Sequence, residues 1–181
     1  IHSMHADFLI KEKKLVEARN EYEEAIKLDK SSYAIWNQLM ALEAELGEYK
    51  SLEAHSSEAM ELFPNQALTY FFNGISNSTL KNYTKSITSL TDGLEFVYNN
   101  NPLLLSFYQS LGDAYNAIKE YTKSDKAYDD ALKIDPDNAS ILNNYAYFLS
   151  LRKEKLEKAE KFSRRSNELE PNNRSYLDTY G

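Results

Sequence analysis

The sequence repeats itself. Between residues 105 and 138, Tyr108, Leu111, Gly112 and Tyr115 are followed by Tyr121, Ser124, Tyr128, Ala131 and Pro136, an ordered series of large, small and turn-forming residues. The same skeleton returns at intervals of about 34 residues. A chain with such a period is confined to a row of similar units, each of which buries its apolar face only against its neighbours. Residues 33–66 carry Trp36, Leu39, Tyr49, Ala59 and Pro64, with Met40 and Glu43 where the other unit has a small residue and an aromatic. Residues 67–104 keep Tyr70, Gly74, Tyr83, Leu90 and Gly93, then add residues around Asn99, Asn100 and Asn101 before Pro102, so that either the second helix is long or the connection bulges. Residues 139–173 supply Leu142, Tyr145, Ala146, Leu149, Ala159 and Pro171, with one extra residue in the Arg152–Lys155 turn. Residues 1–32, through Ala18, Tyr22 and Ala25, read as a partial unit, and Leu177, Tyr180 and Gly181 in 174–181 as the opening of a further one.

Composition selects helices for these units. The chain has only 5 Gly and 4 Pro, too few for the tight turns of an all-β protein, and its 42% hydrophobic content is enough for a core. Two antiparallel helices per unit place Gly112 and Ala131 where backbones approach most closely, and a bulky side chain there overpacks the crossing by roughly 1 to 3 kcal/mol. Pro64, Pro136 and Pro171 follow helix ends, while Asn65, Asp135 and Asn138 suit the turns and caps that begin the next helix.

The spacing resembles the tetratricopeptide repeat, whose pattern is W-x2-L-G-x2-Y, then A-x3-F, A and P. That resemblance implies an all-α fold, a right-handed superhelix of antiparallel helix pairs (an α-α solenoid), with residues 1–181 as a single array. It also implies a non-catalytic scaffold that binds a protein or extended peptide on a concave face made by the first helices. The second, fifth, ninth and twelfth positions of those helices face the concavity in this family. Here they are Ala34, Asn37 and Ala41; Leu68, Phe71 and Ile75; Ser106, Gln109, Asp113 and Asn116; and Ser140, Asn143 and Tyr147.

From this set and its neighbours the expected peptide-binding residues are Asn37, Phe71, Phe72, Gln109, Asp113, Asn143, Asn144 and Tyr147. Amide side chains offer donors and an acceptor that match an extended backbone without demanding a particular side chain. Asn37, Gln109 and Asn143 resemble the asparagine ladder of the O-linked N-acetylglucosamine transferases. Phe71 and Phe72 supply an apolar anchor. The plainer reading of the same residues is solvation for the Asn side chains, core packing for Phe71 or Phe72 and gap-filling for Tyr147. The chaperone-binding members of the family clamp a terminal carboxylate with Lys and Arg; Asn37 and Gln109 stand at those places and Asp113 repels an anion, so no chaperone-tail binding is expected.

Other functions are disfavoured by what the sequence contains. A net charge of −7 and an isoelectric point near 5.1 oppose nucleic-acid binding, which needs a dominant basic face. No stretch approaches the roughly 18 apolar residues of a membrane span, and no membrane contact by this segment is expected. Zero Cys excludes disulfides and thiolate sites but leaves the compartment open. His2, His5 and His55 make no metal motif, no cofactor is expected, and the carboxylate pairs Glu23–Glu24 and Asp129–Asp130 diverge around a helix rather than converge as acid and base. No catalytic residues are expected.

Charge is uneven: residues 33–66 hold 1 basic and 6 acidic side chains, whereas 139–173 hold 7 basic and 5 acidic. In the latter segment the mixture of Lys and Arg with Glu154, Glu157 and Glu160 is the pattern of a solvated helix face. Opposed ends, and terminal repeats with uncovered apolar surface, also fit homo-oligomerisation as a self-association module. A regulatory arm of a larger enzyme or assembly is the third alternative. Leu142–Ala146, Glu170–Asn172 and Tyr176–Tyr180 resemble bacterial repeat proteins, a lineage compatible with the cytoplasm or with a periplasmic or lipid-anchored place at the envelope.

Overall fold

The computed structural model describes residues 2–174 and 176. Among them are ten helices: α1 (His2–Lys11), α2 (Leu15–Leu28), α3 (Tyr33–Leu46), α4 (Tyr49–Leu62), α5 (Ala67–Thr79), α6 (Tyr83–Leu94), α7 (Asn101–Ala117), α8 (Tyr121–Ile134), α9 (Ala139–Arg152) and α10 (Leu156–Leu169). The fold is all-α, with successive helices packed as antiparallel pairs, as the periodicity predicts. The chain divides into two compact units, Ile1–Tyr98 and Asn99–Gly181. Of the expected opening of a further repeat, Leu177, Tyr180 and Gly181 lie outside the described residues.

The additional residues near Asn99 do not lengthen the second helix. α6 stops at Leu94, and α7 begins early, at Asn101, and runs for 17 residues. Asn100 caps it by accepting from the Leu103 amide at 3.1 Å, and Pro102 sits in its first turn, where no amide hydrogen is required. The added length therefore forms the irregular connection after α6 and a further turn of α7.

Each hairpin closes in the same way. The amides of Lys14, Glu48, Asn82, Glu120 and Glu154 reach back five residues to the carbonyls of Leu9, Glu43, Asn77, Tyr115 and Leu149 at 2.8–3.1 Å. This is the Schellman closure, which requires a left-handed residue just before the donor. Gly47 fills that place in α3–α4 with φ 73°, but Lys13, Lys81, Lys119 and Lys153 fill it elsewhere with φ between 55° and 64°. A side chain in this region costs about 1 kcal/mol relative to glycine.

Packing explains the small residues. A Cβ added to Gly112 would lie 2.7 Å from Tyr128 Cε2, and one added to Gly74 2.4 Å from Leu90 Cγ, so in α7–α8 and α5–α6 the first helix is hollowed for a large residue of the second. In α3–α4 the sizes are exchanged. Met40 takes the small position and Ser56 the large one, and both are fully buried. The unit Ile1–Tyr98 centres on Tyr22, Trp36, Leu39, Met40 and Leu52. The unit Asn99–Gly181 centres on Tyr128, Ile141, Tyr145 and Leu149, with the rings of Tyr128 and Tyr145 stacked 4.9 Å apart.

Two polar clusters interrupt these cores. Glu43, fully buried where the repeat pattern expects an aromatic, lies 2.7 Å from His55 Nδ1 and 3.4 Å from Arg19, which also bridges Glu23 and Glu48. In α4–α6, Asn73 donates to Ser57 and Ser56 at 2.9 and 3.1 Å and accepts from Ser89 at 2.6 Å and from Asn77 at 3.1 Å. One buried amide thus ties three helices together. Beside it, Glu53, Thr84 and Lys85 help to line an open polar hollow of about 330 Å³.

Candidate functional site

In the unit Ile1–Tyr98, the expected binding residues come from α3 and α5. Asn37 is half-buried on α3, and its Oδ1 is buried without a hydrogen-bond partner among the described residues. Phe71 and Phe72 are half-buried on α5 with ring centroids 6.2 Å apart. Phe72, together with Ile75, packs against the core of this unit, which accounts for its burial.

In the unit Asn99–Gly181, α7 supplies Gln109, Asp113 and Asn116 at helical spacing, so they share one face. Gln109 and Asn116 are half-buried, and Asn116 Oδ1 is buried with no partner. Asp113 accepts a hydrogen bond from the Tyr128 hydroxyl. Burial pushes its carboxyl up to about 6, although the Tyr128 bond acts in the opposite direction. It therefore keeps most of its charge at neutrality, loses it under mildly acidic conditions, and is oriented by its own hairpin. On α9, Asn143 is 7% exposed with Oδ1 unpartnered, Asn144 is half-buried, and Tyr147 is 46% exposed with its ring 5.6 Å from that of Phe148. Asn116 is the member of this set that the shorter list of expected residues omits; its place at the twelfth position is the signal for it.

A wide hollow of this unit lies elsewhere, between the second helices α8 and α10. It is open to solvent, has a volume of about 1400 Å³ and is lined by Tyr121, Leu132, Leu142 and Phe162 together with charged residues. None of Gln109, Asp113, Asn143, Asn144 and Tyr147 lines it. Its rim is held by ion pairs, Arg165 to Asp137 at 2.8 Å and Lys155 to Asp125 at 2.5 Å. Although burial pushes Asp125 up, bonds from Lys155 and Arg152 hold its carboxyl below the usual range.

The histidines are bound to carboxylates. His2 and His5 lie 2.6 and 3.1 Å from Glu21, and the His2 bond leads in holding the Glu21 carboxyl low. Among the described residues no three His, Asp or Glu side chains gather in a way that would hold a metal ion.

The tetratricopeptide repeat family matches residues 105–138 and, in a second form, residues 127–161. No curated protein matches the sequence. Among solved structures the chain is similar to MamA from Desulfovibrio magneticus RS-1, with 19% identity, coverage of 96% of this chain and 95% of that one, and a TM-score of 0.81. It is also similar to YrrB, described as a TPR protein with an unusual peptide-binding site, at 15% identity over 98% and 89% of the two chains with a TM-score of 0.74. PilF of Pseudomonas aeruginosa is similar at 18% identity over 98% and 78%, with a TM-score of 0.74. These likenesses concern the fold.

Proposed function

We propose, from the premise that this chain is a tetratricopeptide-repeat protein, that it is a non-catalytic scaffold whose first-helix faces hold an extended segment of another polypeptide. Repeats of this kind generally bind proteins, and YrrB is described as having a peptide-binding site. The observation that carries the reading here is a recurrent one. Asn37, Asn116 and Asn143, at expected concave positions of α3, α7 and α9, each have a buried side-chain oxygen without a hydrogen-bond partner among the described residues. Buried acceptors of this kind are rare because they forfeit their bonds to water, and a guest backbone amide would satisfy each one. Gln109 adds a further amide, and Phe71 and Tyr147 add apolar area. Each hydrogen bond contributes about 0.5 to 1.5 kcal/mol, so affinity for a flexible segment is expected in the micromolar range.

The test is selection of peptides from a random library on the intact protein, followed by titration against the Asn37→Ala/Gln109→Ala/Asn143→Ala variant. A loss of roughly tenfold or more in affinity is expected. Equal binding by both proteins, with folding unchanged, would rule out the first-helix faces. Self-association is the second reading, and it is favoured by α1, where Met4 is 76% and Phe8 56% exposed. Light scattering on Met4→Ser/Phe8→Ser separates the two: a dimer lost in that variant supports self-association, and a monomer at all concentrations excludes it.

A further inference from the structure

The hairpin turns place lysine where the backbone favours glycine. A positive charge near a helix C-terminus is favourable, but a lysine one turn earlier supplies it without a left-handed backbone. The left-handed Lys155 is accounted for by contact, since its ammonium lies 2.5 Å from Asp125. Lys13, Lys81, Lys119 and Lys153 are exposed and, among the described residues, enter no ion pair. Along the helices Lys27, Lys126, Lys133 and Lys158 are paired, whereas Lys11, Lys50 and Lys161 are, among the described residues, without an ion pair but keep ordinary helical backbone. Strain that no internal contact repays, at the same place in four hairpins, points to something outside the chain.

A second observation identifies what that is. In the unit Asn99–Gly181, Ile118 precedes Lys119 and is 40% exposed, while Leu151 and Leu156 bracket the next turn at 61% and 56% exposure. The two turns are neighbours, because Arg152 lies over the Tyr121 ring at 4.7 Å and bonds Asp125 at 2.6 Å. Glu120 and Glu154 in the same turns are engaged by Lys123 and Arg152, at 3.5 and 3.7 Å. Glu157, in the first turn of α10, is a further counter-charge. In the unit Ile1–Tyr98 two of the three hairpin turns carry Lys13 and Lys81, the first beside the unpaired Lys11 and Lys14 with Glu12 and Glu17 opposing them and Val16 54% exposed, while the α3–α4 turn carries Gly47 with Glu45 and Glu48.

We infer that these turn edges are peripheral contacts for an anionic lipid bilayer. Aliphatic side chains that project from tips suit a soft, flat partner, whereas a protein would need a matching hollow for each. Lysine, a flexible point charge that extends from an apolar stem, suits scattered lipid phosphates better than fixed recognition of one carboxylate. The sequence expectation of no membrane contact rested on the lack of a spanning helix. None of the described helices is long and apolar enough to cross a membrane, but edge contact requires no span.

Vesicle flotation of the intact protein at low ionic strength tests the inference, with phosphatidylcholine alone and with a quarter phosphatidylglycerol. Partition is expected to be roughly tenfold stronger on the anionic vesicles. The variant Lys13→Gly/Lys81→Gly/Lys119→Gly/Lys153→Gly should lose that preference while its Tm rises, a combination that a purely structural role of the lysines would not give. Leu151→Ser/Leu156→Ser should bind severalfold less with its charge intact. Equal partition on both lipids, undiminished binding by the glycine variant, or capture of poly-glutamate without vesicle binding would each overturn it.

Discussion

The Tyr128 hydroxyl donates a hydrogen bond to Asp113 across the α7–α8 hairpin, and Tyr22 donates to Asp7 across α1–α2 in the same relation, at 2.5 Å. The two aromatics are equivalent in the repeat, and so are the two aspartates. Burial, reinforced by the aspartate, raises both tyrosine hydroxyls above their ordinary range. Asp113 thereby becomes a fixture of its own hairpin as well as a residue of the candidate face.

Asp113 therefore makes a pH-dependent contribution of defined sign. Its folded value, about 6, lies above the ordinary value of 3.8, so the folded state binds the proton more tightly. The ionised carboxyl lowers stability above pH 6, and that loss disappears as the pH falls through the folded value towards the unfolded one. Asp113→Asn keeps an acceptor for Tyr128 and removes the buried charge. It should stabilise the protein by about 1 kcal/mol at pH 8 and give no advantage at pH 4. Urea midpoints of both proteins at the two pH values check this, and an equal difference at both would contradict it.

Gly112→Ala should destabilise. Alanine is favoured over glycine in a helix by about 1 kcal/mol, but the new methyl meets the buried Tyr128 ring, which is stacked on Tyr145 and has little room to withdraw. A net loss of about 1 to 2 kcal/mol is expected. Chemical denaturation followed by circular dichroism checks this, and a gain in stability would show that the ring moves freely.

Arg19→Ala should cost roughly 3 kcal/mol, because it takes from the fully buried Glu43 its guanidinium partner and leaves the hydrogen bond to His55. Lys27→Ala, which removes exposed pairs with Glu23 and Glu24, should cost less than about 1 kcal/mol. Thermal unfolding of the two variants side by side is the comparison, and similar losses would mean that the Glu43 cluster is strongly solvated.

Lys81→Gly should stabilise by about 0.5 to 1 kcal/mol, since φ 64° is free of strain for glycine and the lysine ammonium enters no ion pair among the described residues. Gly47→Lys should have the opposite effect. A calorimetric scan distinguishes them, and a Lys81→Gly variant less stable than its parent would locate a stabilising role for the ammonium.

Much of this architecture was legible because period is a property of the sequence alone. Gly112, Tyr128 and Ala131 announce a crossing before any coordinates are known, and the prolines mark where helices end. The destination of the Asn99 residues was not, because a longer second helix and a longer connection have similar local sequences; Asn100 as a cap and Pro102 in the first turn decided it. Glu43 and Met40 looked like departures from the pattern. Met40 is one half of a size exchange with Ser56, and Glu43 finds Arg19 and His55, partners distant in sequence that no local pattern connects. Of the candidate face, the positions of the amides could be read from spacing, but their unpartnered oxygens could not, since an unmade bond depends on every neighbour.

The buried amide of Asn73 has a consequence for how precisely its hairpin sits. Hydrocarbon surfaces can slide along one another with gradual loss, because dispersion has no direction. Bonds from Asn73 to Ser56, Ser57 and Ser89 are directional, and a slip of α5 by one turn breaks all of them at once in a place water reaches poorly. The seam acts as a detent, fixing one register for α4, α5 and α6 where an oily contact would have allowed several.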